Sequence, residues 1–208
     1  MSDETDELLE AAISERDGDL VSWLLENGAD PNAAIWNGEQ HILYLAVHTG
    51  KTELVRLLLE AGAKVASELQ DDETSLHDAA ATNFIEIMEL LLNADGSVAL
   101  NTFDYIQRTP LMRAVKNGHL EIARMLIRAG ADVNAHCETR IGDSALKIAV
   151  EKADVDMIEL LLKAGADLYL PGSMGITPLD VAERWKRPDK KHLLELIQNF
   201  QRTGRFRL

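Results

Sequence analysis

The sequence predicts an all-α solenoid of stacked helix–loop–helix units, and three observations predict it. The strings WLLENGADPNA, LLLEAGAKVA, LLLNADGSVALN, MLIRAGADVNA and LLLKAGADLYL recur along the 208 residues. Their glycines, Gly28, Gly62, Gly96, Gly130 and Gly165, stand 34, 34, 34 and 35 residues apart, a period typical of repeat architectures. A second element (HILYLAV, TSLHDAA, TPLMRAV or SALKIAV) precedes most of these glycines at a near-constant distance, and TPLDVAE follows the last to open a sixth unit.

The fourth unit shows why each stretch folds as it does. Thr109 is placed to cap a helix whose first residue, Pro110, loses nothing by lacking an N–H. Leu111, Ala114 and Val115 give that helix a short apolar face, and Asn117-Gly118 ends it. A second helix is expected from about His119 to Ala129, with Ile122, Met125 and Leu126 on one side. Gly130 supplies the left-handed residue after it. Alanines on the first helix let neighbours approach closely, and Leu and Ile on the second fill the layer. One unit cannot bury its own apolar face, so stacking is obligatory.

These residues resemble the ankyrin-repeat family, over roughly Glu7 to Gln201 and most closely from Phe103 to Asn134. The resemblance implies helix pairs joined by short β-hairpins, stacked into a curved array that forms a single domain. Six repeats are expected at about 6–33, 34–66, 67–101, 102–134, 135–170 and 171–201, followed by a basic tail at 202–208. The first, starting directly in its helix at Leu8, Leu9 and Ala12, and the last, ending in IQNFQ, read as caps with polar outer faces. Trp23 occupies a leucine slot and is expected in the core. The family's Thr-Pro-Leu-His box keeps its histidine only at His77. Glu10, Tyr44, Met112, Lys147 and Asp180 fill the slot elsewhere, which implies looser coupling between repeats. Repeat three, with Ala94-Asp95-Gly96 and a longer SVALN, should be locally irregular over 93–107.

Charge is unevenly spread within a net of -14. Residues 1–100 hold 4 Lys/Arg against 21 Asp/Glu, residues 101–182 hold 9 against 11, and residues 183–208 hold 8 against 3. So acidic a surface repels phosphate, which argues against nucleic acid as a partner. No apolar run reaches the ~18 residues of a membrane span, no signal peptide is evident, and Cys137 is the only cysteine. A cytoplasmic location is the expectation.

Catalytic motifs are not found. The six histidines show no HExxH, CxxC or facial-triad spacing, and His77 and His119 stand where the family pattern has structural histidines. The acidic run from Glu68 to Asp78 lacks the ligand order and central glycine of an EF-hand. No catalytic residue, metal or cofactor is therefore assigned. The competing reading is an enzyme or cofactor binder hidden in an atypical array, using His136, Cys137 and the 68–78 segment.

The reading that remains is a non-enzymatic scaffold for another protein, as a monomer or weak oligomer. The resemblance implies binding across the concave face, made of hairpin tips and the exposed side of each first helix. At the tips stand Trp36, Asp71, Glu73, Phe103, Tyr105, Ile106, Arg108 and Arg140, with Ile141, Asp143, Met174 and Ile176. The helices contribute His48, Lys116 and Trp185, beside Thr49, Thr82, Asn117, Glu151, Lys152 and Arg184. Trp36, Phe103, Tyr105 and Trp185 are candidate anchors, aromatics being enriched at binding hot spots; local packing is the competing reading for each. The negative first half predicts a partner with a basic patch, and an inhibitor or immunity-type protein is one such case. The last helix is expected from about Pro188 to Gln201 with Arg202 just beyond it. The tail RTGRFRL then reads either as a solubilising end or as a segment that docks on an acidic partner or on another copy's N-terminal half.

Overall fold

The computed structural model describes residues 2–35, 40–66, 74–136, 142–152, 154–184 and 190–203. Among the described residues twelve α-helices follow one another in six pairs. They are α1 (Ser2–Glu15) with α2 (Gly18–Glu26), α3 (Ile42–His48) with α4 (Thr52–Glu60), α5 (Ser75–Thr82) with α6 (Ile85–Asn93), α7 (Pro110–Asn117) with α8 (Leu120–Arg128), α9 (Ala145–Lys152) with α10 (Val155–Lys163), and α11 (Pro178–Arg184) with α12 (Lys190–Thr203). First helices stack on first helices from α1 through α11, and second helices on second helices from α2 through α10.

The stacking has a visible chemical basis. Ala12, Ala46, Ala79, Ala114, Ala149 and Ala182 hold the same place in successive first helices, and all are buried. A methyl group there lets adjacent helices approach closely. Three residues earlier, Leu9, Leu43, Leu76, Leu111 and Leu146 are also buried and fill the space between the two helices of each pair. The fourth unit matches expectation closely. The Thr109 hydroxyl accepts from the Met112 N–H at 3.3 Å, Pro110 opens α7, and Gly118 (φ 76°) and Gly130 (φ 100°) end the two helices in the left-handed region.

Asparagine amides tie the loops together. Asn134 donates to the Gly165 carbonyl at 3.1 Å and accepts from the Asp167 N–H at 2.8 Å. Asn32 repeats the clamp one junction from the N-terminus, with the Gly62 carbonyl and the Lys64 N–H. Ala66 stands in the asparagine slot of the second repeat and has no amide to offer. There Asp95 reaches back instead, accepting from the Val65 N–H at 3.0 Å.

Several expectations need correction. Trp23 is 57% exposed, not core, and Leu8 and Leu20 beside it are also exposed. The outer face of the first repeat is therefore apolar at these three positions, which no layer among the described residues covers. The expected short β-hairpins are represented among the described residues by one strand pair, β1 (Ala34–Ile35) antiparallel to β2 (Gln40–His41), in agreement with the expectation. The connections at 104–107 and 172–176 close as tight turns. In repeat three a 3-10 turn, Gly96–Ala99, occupies the irregular stretch. Helix α12 runs to Thr203, which places Arg202 inside it, not beyond it.

Candidate protein-binding surface

The best-built part of the candidate surface grows from one buried carboxylate. Asp104, fully buried, accepts from the backbone N–H groups of Ile106 and Arg108, both at 2.9 Å. Its other oxygen takes the Arg113 Nε at 2.6 Å. The Gln107 N–H donates to the Asp104 carbonyl, and Gln107 adopts φ 62° to close the turn. An aspartate bonding backbone two residues on is the local chemistry of an Asx turn. With its ends fastened, the turn carries its central residues outward: Tyr105 is 62% exposed and Ile106 is exposed. The Arg113 guanidinium lies 6.0 Å from the Tyr105 ring centroid, a cation–π distance that restrains the ring.

The turn is also anchored to the repeat before it. His77 Nε2 donates to the Arg108 carbonyl at 2.9 Å, while its Nδ1 accepts from the Thr74 N–H at 3.1 Å. Both ring nitrogens are thus used by the neutral tautomer. Burial is the main reason its pKa falls to about 4, with nearby Arg113 adding to the effect and Asp104 opposing it. His119 makes a second tie, donating from Nδ1 to the Ala80 carbonyl at 2.9 Å.

Beside the turn runs a polar groove. A hollow of about 210 Å³ is lined by Ile106, Gln107, Arg108 and Lys116 on one side and Gly142, Asp143, Ile148 and Glu151 on the other. Across Glu151 a second hollow, of about 310 Å³, continues over Lys147, Ser173, Met174, Ile176, Val181 and Arg184. The floor between them is an ion pair. Lys147, whose side chain is almost wholly buried, donates to Asp143 and, at 2.9 Å, to the Ser173 hydroxyl. Ser173 in turn donates from its N–H and hydroxyl to Asp143 at 3.0 and 2.7 Å. Burial alone would raise the Asp143 pKa, but the bonds from Lys147 and Ser173 outweigh it and hold the carboxyl below its ordinary value.

The cluster corrects one expectation. Lys147 stands in the histidine slot, where its lysine implied a weakened junction. It spans that junction all the same, from repeat five to Ser173 of repeat six, with an ammonium in place of an imidazole. Met112, in the same slot of repeat four, is buried as a core residue.

The remaining candidates divide as follows. His48 is exposed at the end of α3, stacks on Tyr44 (centroids 6.2 Å apart) and meets Asp78 at 3.4 Å. Burial raises the Asp78 pKa, and the His48 ring opposes the rise. Phe103 is half-buried and packed against the core, which favours packing over anchoring. Trp36, Asp71, Glu73, Arg140, Ile141 and Trp185 lie outside the described residues. So do Cys137 and most of the 68–78 segment. His136 donates to the Asn134 carbonyl at 3.1 Å. Among the described residues no group of three or more His, Cys, Asp or Glu side chains is placed to hold a metal ion. A hollow of about 280 Å³ lies apart from the groove, where Gly50 and Thr52 meet Asn83 to Ile87. The sequence reading missed Asp104, Arg113 and Ser173; only an aspartate opening a turn beside the helix start pointed to the first.

Helix pairs stacked about an alanine column define a helical repeat protein. A family model for ankyrin repeats matches residues 8–104, 43–137 and 111–201. This chain belongs to the ankyrin-repeat family, whose repeats mediate protein–protein interaction. It is 35% identical over 112 residues to an ankyrin repeat protein of Fowlpox virus (strain NVSL), a match covering 53% of this chain and 25% of that one. It is 32% identical over 123 residues to ankyrin repeat, SAM and basic leucine zipper domain-containing protein 1 of Ornithorhynchus anatinus, covering 57% and 25%. With diacylglycerol kinase iota of Homo sapiens the identity is 31% over 123 residues, but only 11% of the kinase is covered. The matched segments span at most a quarter of the length of these relatives. No helix among the described residues is long and apolar enough to cross a membrane.

Proposed function

We propose that this chain is a non-enzymatic scaffold that grips a partner protein along the turn and first-helix face, with Tyr105 as an anchor and the groove of repeats four to six as the seat. The observation that carries this reading is the pairing of exposed apolar tips with a rigid base. Tyr105 and Met174, the latter 84% exposed, flank a groove whose floor is fixed by the Asp104–Arg113 and Asp143–Lys147 pairs. Pre-organised apolar tips over a polar groove need little ordering on binding, and that favours affinity.

Charge divides the partner's footprint. The first hundred residues are strongly acidic and call for a basic patch, whereas Arg108, Lys116 and Arg184 line the groove and favour acidic groups there. Occlusion of a basic enzyme, as by an inhibitor or immunity protein, is the special case this polarity suits best. The test is affinity capture from native lysate with the wild type and a Tyr105→Ala/Met174→Ala variant in parallel. A captured protein should be lost with the variant and released by salt. Equal recovery by both would overturn the assignment of the surface.

A further inference from the structure

The first repeat carries an apolar end face in places that every later repeat covers. Leu8 holds the position of Ile42, Ser75, Pro110, Ala145 and Pro178, all buried. Leu20 corresponds to Leu54, Ile87, Ile122 and Met157, again all buried. Trp23 corresponds to Leu57, Leu90, Met125 and Leu160, each half-buried against the core. In those repeats the preceding layer does the covering. In the first repeat the three residues are 54%, 37% and 57% exposed, yet they are as apolar as the interior slots. A solvent-facing cap would be polar, and apolar side chains exposed on one end face mark a contact surface.

The charges around the patch select its occupant. Glu4 and Glu15 share the Leu8 side of α1 by helical spacing, and Asp19 and Glu26 share the Trp23 side of α2; all four are exposed. Residues 1–26 contain nine acids and a single base, Arg16. Two such faces brought together would repel, which disfavours a symmetric pairing through this end. The segment Arg202–Leu208, RTGRFRL, has the complementary chemistry: Phe206 and Leu208 interleave with Arg205 and Arg207, and no acid follows Glu195. It cannot serve its own molecule. The first repeat and α12 are at opposite ends of the stack, separated by four layers of roughly 10 Å each. The five residues after Thr203 extend at most about 17 Å.

We infer that the Leu8–Leu20–Trp23 face receives the basic C-terminal segment of a second copy. The contact is head-to-tail, so it builds rings or open chains of molecules, and it uses a surface distinct from the groove.

Sedimentation velocity of the full chain over a concentration series tests it, with Trp23→Ser and Arg205→Glu/Arg207→Glu variants. The wild type should self-associate reversibly, and each variant should weaken that association by about tenfold or more. High salt should weaken it too. An equimolar mixture of the two variants should regain a dimer, because each contributes the face the other lacks. At dilutions where the wild type is monomeric, thermal unfolding of Trp23→Ser should match it, since the side chain is largely exposed. A wild type that stays monomeric across the series, an association that either variant leaves intact, or a mixture that fails to pair would each overturn the inference.

Discussion

His77 donates across the third junction to the carbonyl of Arg108 at 2.9 Å, and it does so as a neutral ring. Its pKa of about 4 in the folded protein lies below the ordinary 6.5, so the unfolded chain binds a proton more readily. Stability contributed by the neutral ring is complete above about pH 6.5 and is lost as the pH falls through about 4. The full loss is roughly 3 kcal/mol. Asp78 acts in the opposite sense, because its raised pKa lets the folded chain take up a proton first on acidification. Urea unfolding from pH 7 to pH 4 should therefore show falling stability, and a His77→Gln variant, less stable at pH 7, should show a flatter profile.

Lys147 is the polar tie between repeats five and six. Replacing it with methionine keeps the apolar stem but removes the donor shared by Asp143 and Ser173. The expected cost is about 1–3 kcal/mol, read by chemical denaturation. A Ser173→Ala change in the Lys147→Met background should then cost less than it does in the wild type, since one of the two side-chain partners of its hydroxyl is already gone.

The asparagine clamps should be separable from the aspartate that replaces one of them. Asn134→Ala removes both an acceptor and a donor at the fourth-to-fifth junction and should cost about 1–2 kcal/mol. Asn→Asp at the same position keeps the acceptor for Asp167 and loses the donor to Gly165, so it should recover part of the difference at neutral pH. Thermal denaturation of the three proteins makes the comparison.

Gly96 is not equivalent to the other periodic glycines. Gly28, Gly62, Gly130 and Gly165 adopt positive φ, and a Cβ on them would meet open space. A Cβ on Gly96 would instead stand 2.5 Å from the Leu91 carbonyl oxygen, a backbone atom that cannot swing aside. Gly96→Ala is expected to destabilise the protein by about 1–3 kcal/mol through overpacking, measured as a drop in Tm.

Tyr105→Ala should separate binding from folding. The ring is mostly exposed and the turn beneath it is held by Asp104, so Tm should move little. Arg113→Ala leaves Asp104 buried without its guanidinium and should unfold earlier, by several kcal/mol. Circular dichroism melting distinguishes the two directly.

The helix pairs, their caps and the alanine and leucine columns were legible in the sequence, because they depend on local propensity and on a period that repeats. Thr109-Pro110 and Gly130 act through neighbours within one turn of helix, and their roles could be read from spacing alone. The family followed from the same pattern. What needed the tertiary structure was every feature set by a partner roughly one repeat away. The burial of Lys147 rests on Ser173, and the pKa of His77 on the layers around it. The exposure of Trp23 follows from its place in the first repeat, where no layer among the described residues covers it. In a solenoid one slot is core or surface according to whether a layer lies beside it, and that depends on position in the stack, not on the residue.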